Sequence, residues 1–280
     1  MSKDYSKILL ITDMDGTLLP SSKVLSKTDL EAINTFTRRG GNFSIATGRP
    51  IQSVKFYFDE LKINFPIILY NGGMIYDTQK SEVLWKNYLP TEARGIVETV
   101  LNRFPEVSAE MITYERIYSL QKNEYEQYHI DITKTNVIEC PIEEIPDDWF
   151  KILFALNPEK MPELKAFIEK FDFNFVEFVQ TCRHFYEVLP KNISKGEALK
   201  VLKELYELND YTIVAVGDFD NDIEMLKIAD IGIATANAID RVKEIADIVL
   251  EESCNENAIA KVIDYIFSNE DLKSKIIIGG

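Results

Sequence analysis

The stretch Ile8-Leu9-Leu10-Ile11-Thr12-Asp13-Met14-Asp15-Gly16-Thr17 sets two carboxylates one residue apart at the end of an apolar run. Four consecutive apolar residues between polar ones read as a short, fully buried strand of a parallel sheet. Ligands of open α/β sheets gather beyond the carboxyl ends of the strands, so this strand delivers Asp13 and Asp15 to a place where a ligand sits. Residues i and i+2 of an extended backbone point the same way, which lets both carboxylates reach one small volume. Carboxylates that close repel one another unless a cation or a shared proton compensates them. An oxygen-only donor set suits Mg2+. The competing reading is an ordinary Asp-Gly turn. A calcium loop is excluded, because its sixth and twelfth positions, counted from Asp13, are Leu18 and Val24 instead of Gly and Glu.

Three further groups follow the same logic. Thr47 stands at the end of a second apolar strand, just before Gly48-Arg49. A hydroxyl and adjacent backbone N–H groups there can hold a phosphoryl oxygen; the alternative is a cap on the helix that Pro50 opens. Lys195 lies in the first turn of a helix that Ser194 caps. The macrodipole is positive at that end, so a lysine makes sense there if dipole and ammonium serve one anion. A solvated surface lysine is the alternative. The fourth group, Gly217-Asp218-Phe219-Asp220-Asn221-Asp222, directly follows the buried run 213–216, and Ile223 and Ala229 again exclude a calcium loop. Two acidic groups at one sheet edge, with a lysine between them in sequence, amount to a metal site with a counter-ion.

The elements that must position these groups alternate. Strands over 8–11, 42–47 and 66–70 are separated by a helix that Ser26 opens and Gly40-Gly41 close, and by a second helix after Pro50. That β-α-β-α-β order predicts a doubly wound parallel sheet. From Met74 the rhythm changes to a hairpin, an amphipathic helix over 91–104 and strand-like pieces at 107–113, 116–121, 150–156, 174–180 and 185–189, with a helix after Asn157-Pro158. From Pro190 the α/β alternation returns. The expected organisation is an α/β, Rossmann-like core made of 1–82 and 189–280, interrupted by an α+β domain at 83–188.

At 280 residues the chain can fill two domains. Its composition, 46% hydrophobic and 28% charged, is that of a globular protein, and its net charge of −15 argues against nucleic-acid or membrane-surface partners. Cys140, Cys182 and Cys254 are odd in number and far apart, which suits reduced thiols. The opening Met1-Ser2-Lys3-Asp4-Tyr5 lacks a signal-peptide pattern, and no apolar run approaches ~20 residues, so the expectation is a cytoplasmic protein. With only His129 and His184, histidine-centred catalysis is unexpected. Oligomeric state is left open.

In order and spacing the four groups resemble the four motifs of the haloacid dehalogenase superfamily, in its Cof-like branch of phosphatases (subclass IIB). Asp13-Met14-Asp15-Gly16-Thr17 is similar to the first motif, Thr47 in Ala46-Thr47-Gly48-Arg49 to the second, Lys195 to the third, and Gly217-Asp218 through Asn221-Asp222 to the fourth. Asn71-Gly72 and the stretch 234–238 also resemble family features, although Thr235-Ala236 replaces the more usual Met-Gly before Asn237. The resemblance implies a Mg2+-dependent phosphatase of small phosphorylated metabolites such as sugar phosphates. It implies Asp13 as nucleophile through an aspartyl-phosphate, Asp15 as acid and base, and Lys195 as charge partner. It further implies Thr47, Gly48, Arg49 and Asn221 on the phosphoryl group. The metal would be held by Asp13, the Asp15 carbonyl and Asp218, with Asp222 a ligand or its neighbour. The insert corresponds to the branch's substrate-selecting cap. A phosphomutase of the same superfamily and a non-catalytic sugar-phosphate-binding regulator are the alternatives.

Overall fold

A computed structural model describes residues 4–269. Met1, Ser2 and Lys3, on which part of the signal-peptide reading rests, and residues 270–280 of the expected core lie outside the described residues. The chain divides into two compact units: the chain up to Arg49, Phe56–Lys86 and the chain from Ser194 make the first, while Pro50–Lys55 and Asn87–Ile193 make the second.

In chain order, β1 (Ile8–Thr12), α1 (Lys27–Arg38) and β2 (Asn42–Ile45) come first, followed by the short helices α2 (Ile51–Val54) and α3 (Phe58–Leu61). β3 (Ile67–Leu69), β4 (Met74–Asp77) and β5 (Glu82–Lys86) complete this part. The second unit then supplies α4 (Ala93–Arg103), β6 (Ser108–Ile112), β7 (Ile117–Ser119), α5 (Glu124–Thr133), β8 (Val137–Glu139), β9 (Lys151–Ala155), α6 (Met161–Ile168), β10 (Val176–Cys182) and β11 (Phe185–Pro190). The first unit resumes with α7 (Lys195–Leu205), β12 (Thr212–Gly217), α8 (Ile223–Ile228), β13 (Ile231–Ala234), α9 (Asp240–Ile245), β14 (Ile248–Val249) and α10 (Ala258–Ser268). None of these helices is long and apolar enough to cross a membrane.

The first unit is built on a parallel sheet of order β14-β13-β12-β1-β2, as the alternation predicts. β1 lies between β12 and β2, and its residues 9–12 are wholly buried, which is why the run Leu9-Leu10-Ile11 carries no alternation. Leu9 and Ile11 pack with Ile213 and Ala215 of β12 against Leu199 and Leu202 of α7 and Met225 and Leu226 of α8. On the sheet's α1–α10 side, Tyr5, Phe36 and Phe267 pack ring against ring with centroids 5.1–6.4 Å apart. α1 starts where Ser26 accepts the N–H groups of Thr28 and Asp29. α7 starts where Ser194 accepts that of Glu197.

The expected third parallel strand behaves differently. β3 is antiparallel to β4, in a sheet of order β3-β4-β5, but it keeps the expected parallel direction beside the end of β2 through a parallel bridge of Ile68 to Ala46, with the Thr47 N–H donating to the Ile68 carbonyl at 2.9 Å. Its apolar run is as buried as a parallel strand's, so burial alone does not reveal its partner. Because β5 stays paired with β4, the second unit begins after Lys86, later than the expected 83. β11 runs on to Pro190, so the second unit also ends later, and it takes in Pro50–Lys55.

The second unit is an α+β layer pair. Its sheet has the order β10-β11-β9-β6-β7-β8, antiparallel but for β7 with β8. α4 and α6 cover one face, burying Ile96, Val97, Val100, Leu164 and Ile168 against Met111, Ile152, Phe154 and Val188. α5 and β8 are absent from the sequence-based expectation. The buried positions of α5 are Glu126 and His129, so its inward face is polar and gives no apolar periodicity. Its start is legible only in Asn123, which accepts the N–H groups of Tyr125 and Glu126.

Candidate active site

β1 and β12 are neighbours in register, Thr12 opposite Val216, and the Asp13 N–H donates to the Val216 carbonyl at 2.9 Å. Asp13 and Asp218 therefore leave the sheet side by side. β2 lies on the other side of β1, so this edge is the point where strand order reverses, the usual ligand crevice of such sheets. Carboxylate oxygens of Asp13, Asp218 and Asp222 all lie within 4.8 Å of one another. Lys195, fully buried at the start of α7, donates from Nζ to Asp13 Oδ1 at 2.5 Å and to Asp222 Oδ1 at 2.7 Å. Four residues spread over more than two hundred positions thus share one small volume.

Each member is held by the loop around it. Asp222 Oδ2 accepts the backbone N–H groups of Asp218 at 2.9 Å and Phe219 at 3.1 Å, closing the turn after β12. Both of its oxygens have donors already, so its geometry is that of a brace between Lys195 and the Asp218 loop. Thr17 donates to Asp218 Oδ1 at 2.8 Å. Asn237 donates to the Gly16 carbonyl at 2.8 Å, tying the loop after β13 to the loop after β1. Gly16 has φ +87°, and a Cβ there would collide with the Asp218 carboxylate. Only glycine meets both conditions.

Asp15 is not part of the carboxylate group. β1 ends at Thr12, and the chain turns at once, with Leu18 N–H on the Asp13 carbonyl and Leu19 N–H on that of Met14. The extended-strand rule that aims i and i+2 together therefore stops applying before Asp15. Its carboxylate instead takes Arg49 through Nε at 2.6 Å and Nη2 at 2.7 Å, and Lys23 Nζ at 2.6 Å.

Thr47, Gly48 and Arg49 follow β2 on the same sheet edge. Thr47 is buried, and its hydroxyl accepts the Arg49 N–H at 3.1 Å, so the cap-like reading of this threonine has a bond to its name. A Cβ on Gly48 would come within 2.7 Å of Asn71 Oδ1. The same oxygen accepts Asn221 Nδ2 at 2.9 Å, so the second and fourth sequence groups meet at Asn71. Asn71 adopts φ +56°, a left-handed turn that asparagine tolerates. Asn71, Thr17, Lys23 and Asn237 are absent from the site residues expected from sequence. Asn71 before two glycines carries a turn signal, Thr17 stands within the first motif and Asn237 within the 234–238 stretch, whereas nothing local marks Lys23.

The charges are strongly coupled to burial. Burial drives the Asp13 carboxyl well above its ordinary range, opposed by Lys195 and reinforced by Asp222 and Asp218. Burial also lifts Asp218 to about 6, with Asp222 adding to the rise and Thr17 and Lys195 opposing it. For Lys195, burial would favour the neutral amine, but Asp13 and Asp222 outweigh it and hold the ammonium more firmly than in water. Burial would raise Asp15 too, yet Arg49 and Lys23 reverse that and hold it at about 2. A buried group with three carboxylates and one ammonium is short of positive charge. Its donors are all oxygen, and a hard divalent cation fits them.

A family model described as haloacid dehalogenase-like hydrolase matches residues 10–263. Two proteins of Bacillus subtilis (strain 168) named 5-amino-6-(5-phospho-D-ribitylamino)uracil phosphatase are similar over nearly their whole length. YwtE is 30% identical over 288 residues, covering 92% of this chain and 97% of its own. YitU is 25% identical over 266 residues, covering 93% and 97%. A crystal structure of a haloacid dehalogenase-like hydrolase from Bacteroides thetaiotaomicron superposes with a TM-score of 0.85 at 26% identity, covering 93% of this chain and 99% of that one.

Proposed function

Because this chain belongs to the haloacid dehalogenase-like hydrolases and is a phosphoric monoester hydrolase, we propose that it cleaves small polyol or sugar phosphates with Mg2+ through a phosphorylated Asp13. The observation that carries this is the buried Lys195 bridging Asp13 and Asp222 beside Asp218. A structural core has little use for three buried charges and a half-buried fourth packed together. A phosphoryl-transfer site does, because its work is positioning and charge neutralisation.

In this reading the Asp13 carboxylate attacks phosphorus and the ester oxygen departs with a proton from Asp15, leaving an aspartyl-phosphate. Water then attacks that phosphorus, gives its proton to Asp15 and releases inorganic phosphate and free Asp13. Lys195 offsets the charge on Asp13 throughout. Asp13, Asp218 and the Asp15 carbonyl would hold Mg2+, with Asp222 bracing the loop, and the ion would supply charge neutralisation for the transferring group. Thr47, Gly48 and Asn221 hold phosphoryl oxygens, with Asn71 orienting Asn221. Both Asp15 oxygens carry cationic donors in the resting arrangement. The proton-donor role therefore requires Arg49 to exchange Asp15 for the phosphoryl group. Choice of ester is assigned to the second unit, and the ribityl phosphates in the relatives' names favour a polyol.

The test is phosphate release across a panel of phosphorylated metabolites with Mg2+ and with EDTA. Mg2+-dependent release, lost by at least 10^3-fold in Asp13→Asn with the fold intact, is expected. Turnover that survives this substitution would refute the nucleophile. A panel with no hydrolysed ester would refute the activity.

A further inference from the structure

Within the second unit, α5 turns titratable groups inward where a helix ordinarily carries an apolar stripe. β6 sends Ser108 and Glu110, two residues apart, to the side that α5 covers, while its Ala109 and Met111 join the apolar core on the other. α5 answers with Glu126 and His129, which lie on one face of the helix. Glu126 accepts the Ser108 hydroxyl, and His129 Nδ1 bonds Glu110 Oε1 at 3.0 Å. These two bonds join the same strand to the same helix, so the two carboxyl groups are neighbours, and the charge of Glu110 acts on Glu126. Ser108, Glu110 and Glu126 are 0% exposed, and His129 is 8% exposed.

The surroundings supply little positive charge. β7 contributes Ser119, which stands opposite Glu110 and donates its hydroxyl to the Gln121 carbonyl at 2.9 Å. β9 places Leu153 opposite Glu110 on its other side. On β11, the Phe185 ring packs against His129 with centroids 5.0 Å apart, and Glu187 is paired with Lys151 at 2.8 Å. His184 lies against Tyr125 and Tyr128 of α5. Glu124 and Asp131 of α5 are exposed, as is Lys122 just before it. The balance is two buried carboxyl groups against one imidazole. Even a charged imidazole leaves one carboxyl uncompensated, and such a group takes up a proton instead of staying ionised. Burial accordingly raises the Glu126 carboxyl above its ordinary range, with the Glu110 charge adding to the rise and Ser108, Ser119 and Lys122 opposing it.

Glu110 Oε2 and Glu126 Oε1 are buried with no hydrogen-bond partner among the described residues. An orphaned buried acceptor is costly, and here there are two on adjacent groups. Protonation turns one of these acceptors into a donor, so a single proton can satisfy both. We propose that Glu110 and Glu126 share one proton, and that this proton latches α5 onto the sheet and makes the joint pH-sensitive. With the proton bound, the carboxyl groups attract each other through a hydrogen bond. Without it they are like charges in a dry interface, and α5 separates more readily. Docking takes the proton from water and opening returns it. The docked state holds the proton more tightly than the unfolded chain does. The latch is therefore at full strength below the ordinary glutamate value of about 4.3 and is lost as pH rises through the elevated native value.

Hydrogen exchange of the α5 and β6 amides, corrected for intrinsic rates and followed from about pH 4.5 to 8, reads the opening constant of this joint. Glu126→Gln is the diagnostic substitution. Its amide oxygen accepts from Ser108 and its N–H group donates to Glu110, with no proton to lose. Across that range the wild-type opening constant is expected to rise at least about tenfold relative to the variant's. A ratio that does not move with pH would overturn the proposal and leave the two acceptors to an ordered water. Side-chain carboxyl 13C NMR on the wild type needs no substitution: one glutamate is expected to titrate well above the exposed ones. If Glu126→Gln does not fold, this titration decides, and glutamates that all titrate in the ordinary range would refute the shared proton.

Discussion

Lys195→Met offers the most direct measure of how the buried charges balance. Methionine keeps the length of the stem but removes the ammonium that bonds Asp13 and Asp222. Stripping one partner from a buried ion pair costs about 3–5 kcal/mol. Here one cation serves two carboxylates with a third within 4.8 Å, which places the expected cost in the upper half of that range. At about 1.4 kcal/mol per factor of ten, the ratio of folded to unfolded first unit falls by roughly three decades. Urea denaturation in EDTA, with hydrogen exchange read on the β1 and β12 amides, reports this unit specifically. With a urea slope of about 3 kcal/mol/M, the midpoint drops by more than ~1 M. Mg2+ then restores more stability to the variant than to the wild type, because the cation neutralises carboxylates that Lys195 otherwise serves. Phosphatase activity does not return with it. A variant within ~1 kcal/mol of wild type in EDTA would refute the premise that these charges are mutually dependent.

Two other substitutions probe the supports of the site and the fold. Gly16→Ala forces a side chain onto a φ of +87° and into the Asp218 carboxylate; a loss of about 1–3 kcal/mol in stability and more than tenfold in kcat/KM is expected from denaturation and steady-state assays. Asp29, at the start of α1, is buried and accepts the Ala260 N–H at 2.8 Å; burial raises its carboxyl to about 6 despite that bond. The native state then binds this proton more tightly than the unfolded chain, so its contribution is fully present below about pH 4 and is lost as pH rises through 6. Asp29→Asn, which keeps an acceptor oxygen, should raise Tm at pH 8, and the gain should vanish below about pH 4. A gain that is constant with pH would rule out charge as its cause.

Much of this site is legible in the sequence because it sits at strand ends. Asp13 and Asp218 each follow a run of buried residues, and adjacency of β1 and β12 does the rest. Lys195 is legible as a cation where a helix dipole disfavours one. Asp15 is harder: its distance of two residues from Asp13 suggests a shared direction, but the strand ends before it, and its partners Arg49 and Lys23 depend on loops with no periodicity. β3 shows the limit of reading apolar runs, since a three-residue buried strand looks the same in a parallel and an antiparallel sheet. α5 shows another. Its inward residues are Glu126 and His129, and a helix that buries polar groups writes no hydrophobic stripe.

The route by which the chain leaves and rejoins its first unit has an engineering consequence. Apart from the short excursion at Pro50–Lys55, the departure, after Lys86, is at the end of a hairpin strand that carries none of the chemistry. The return is the reverse: Ser194 resumes the unit, and the next residue is Lys195 itself. A graft of a foreign insert can therefore tolerate slack or extra residues at its entry. At its exit the splice must keep Ser194 and the helical phase of Lys195, since a one-residue slip rotates that ammonium about 100° around the helix axis and leaves its two carboxylates facing each other.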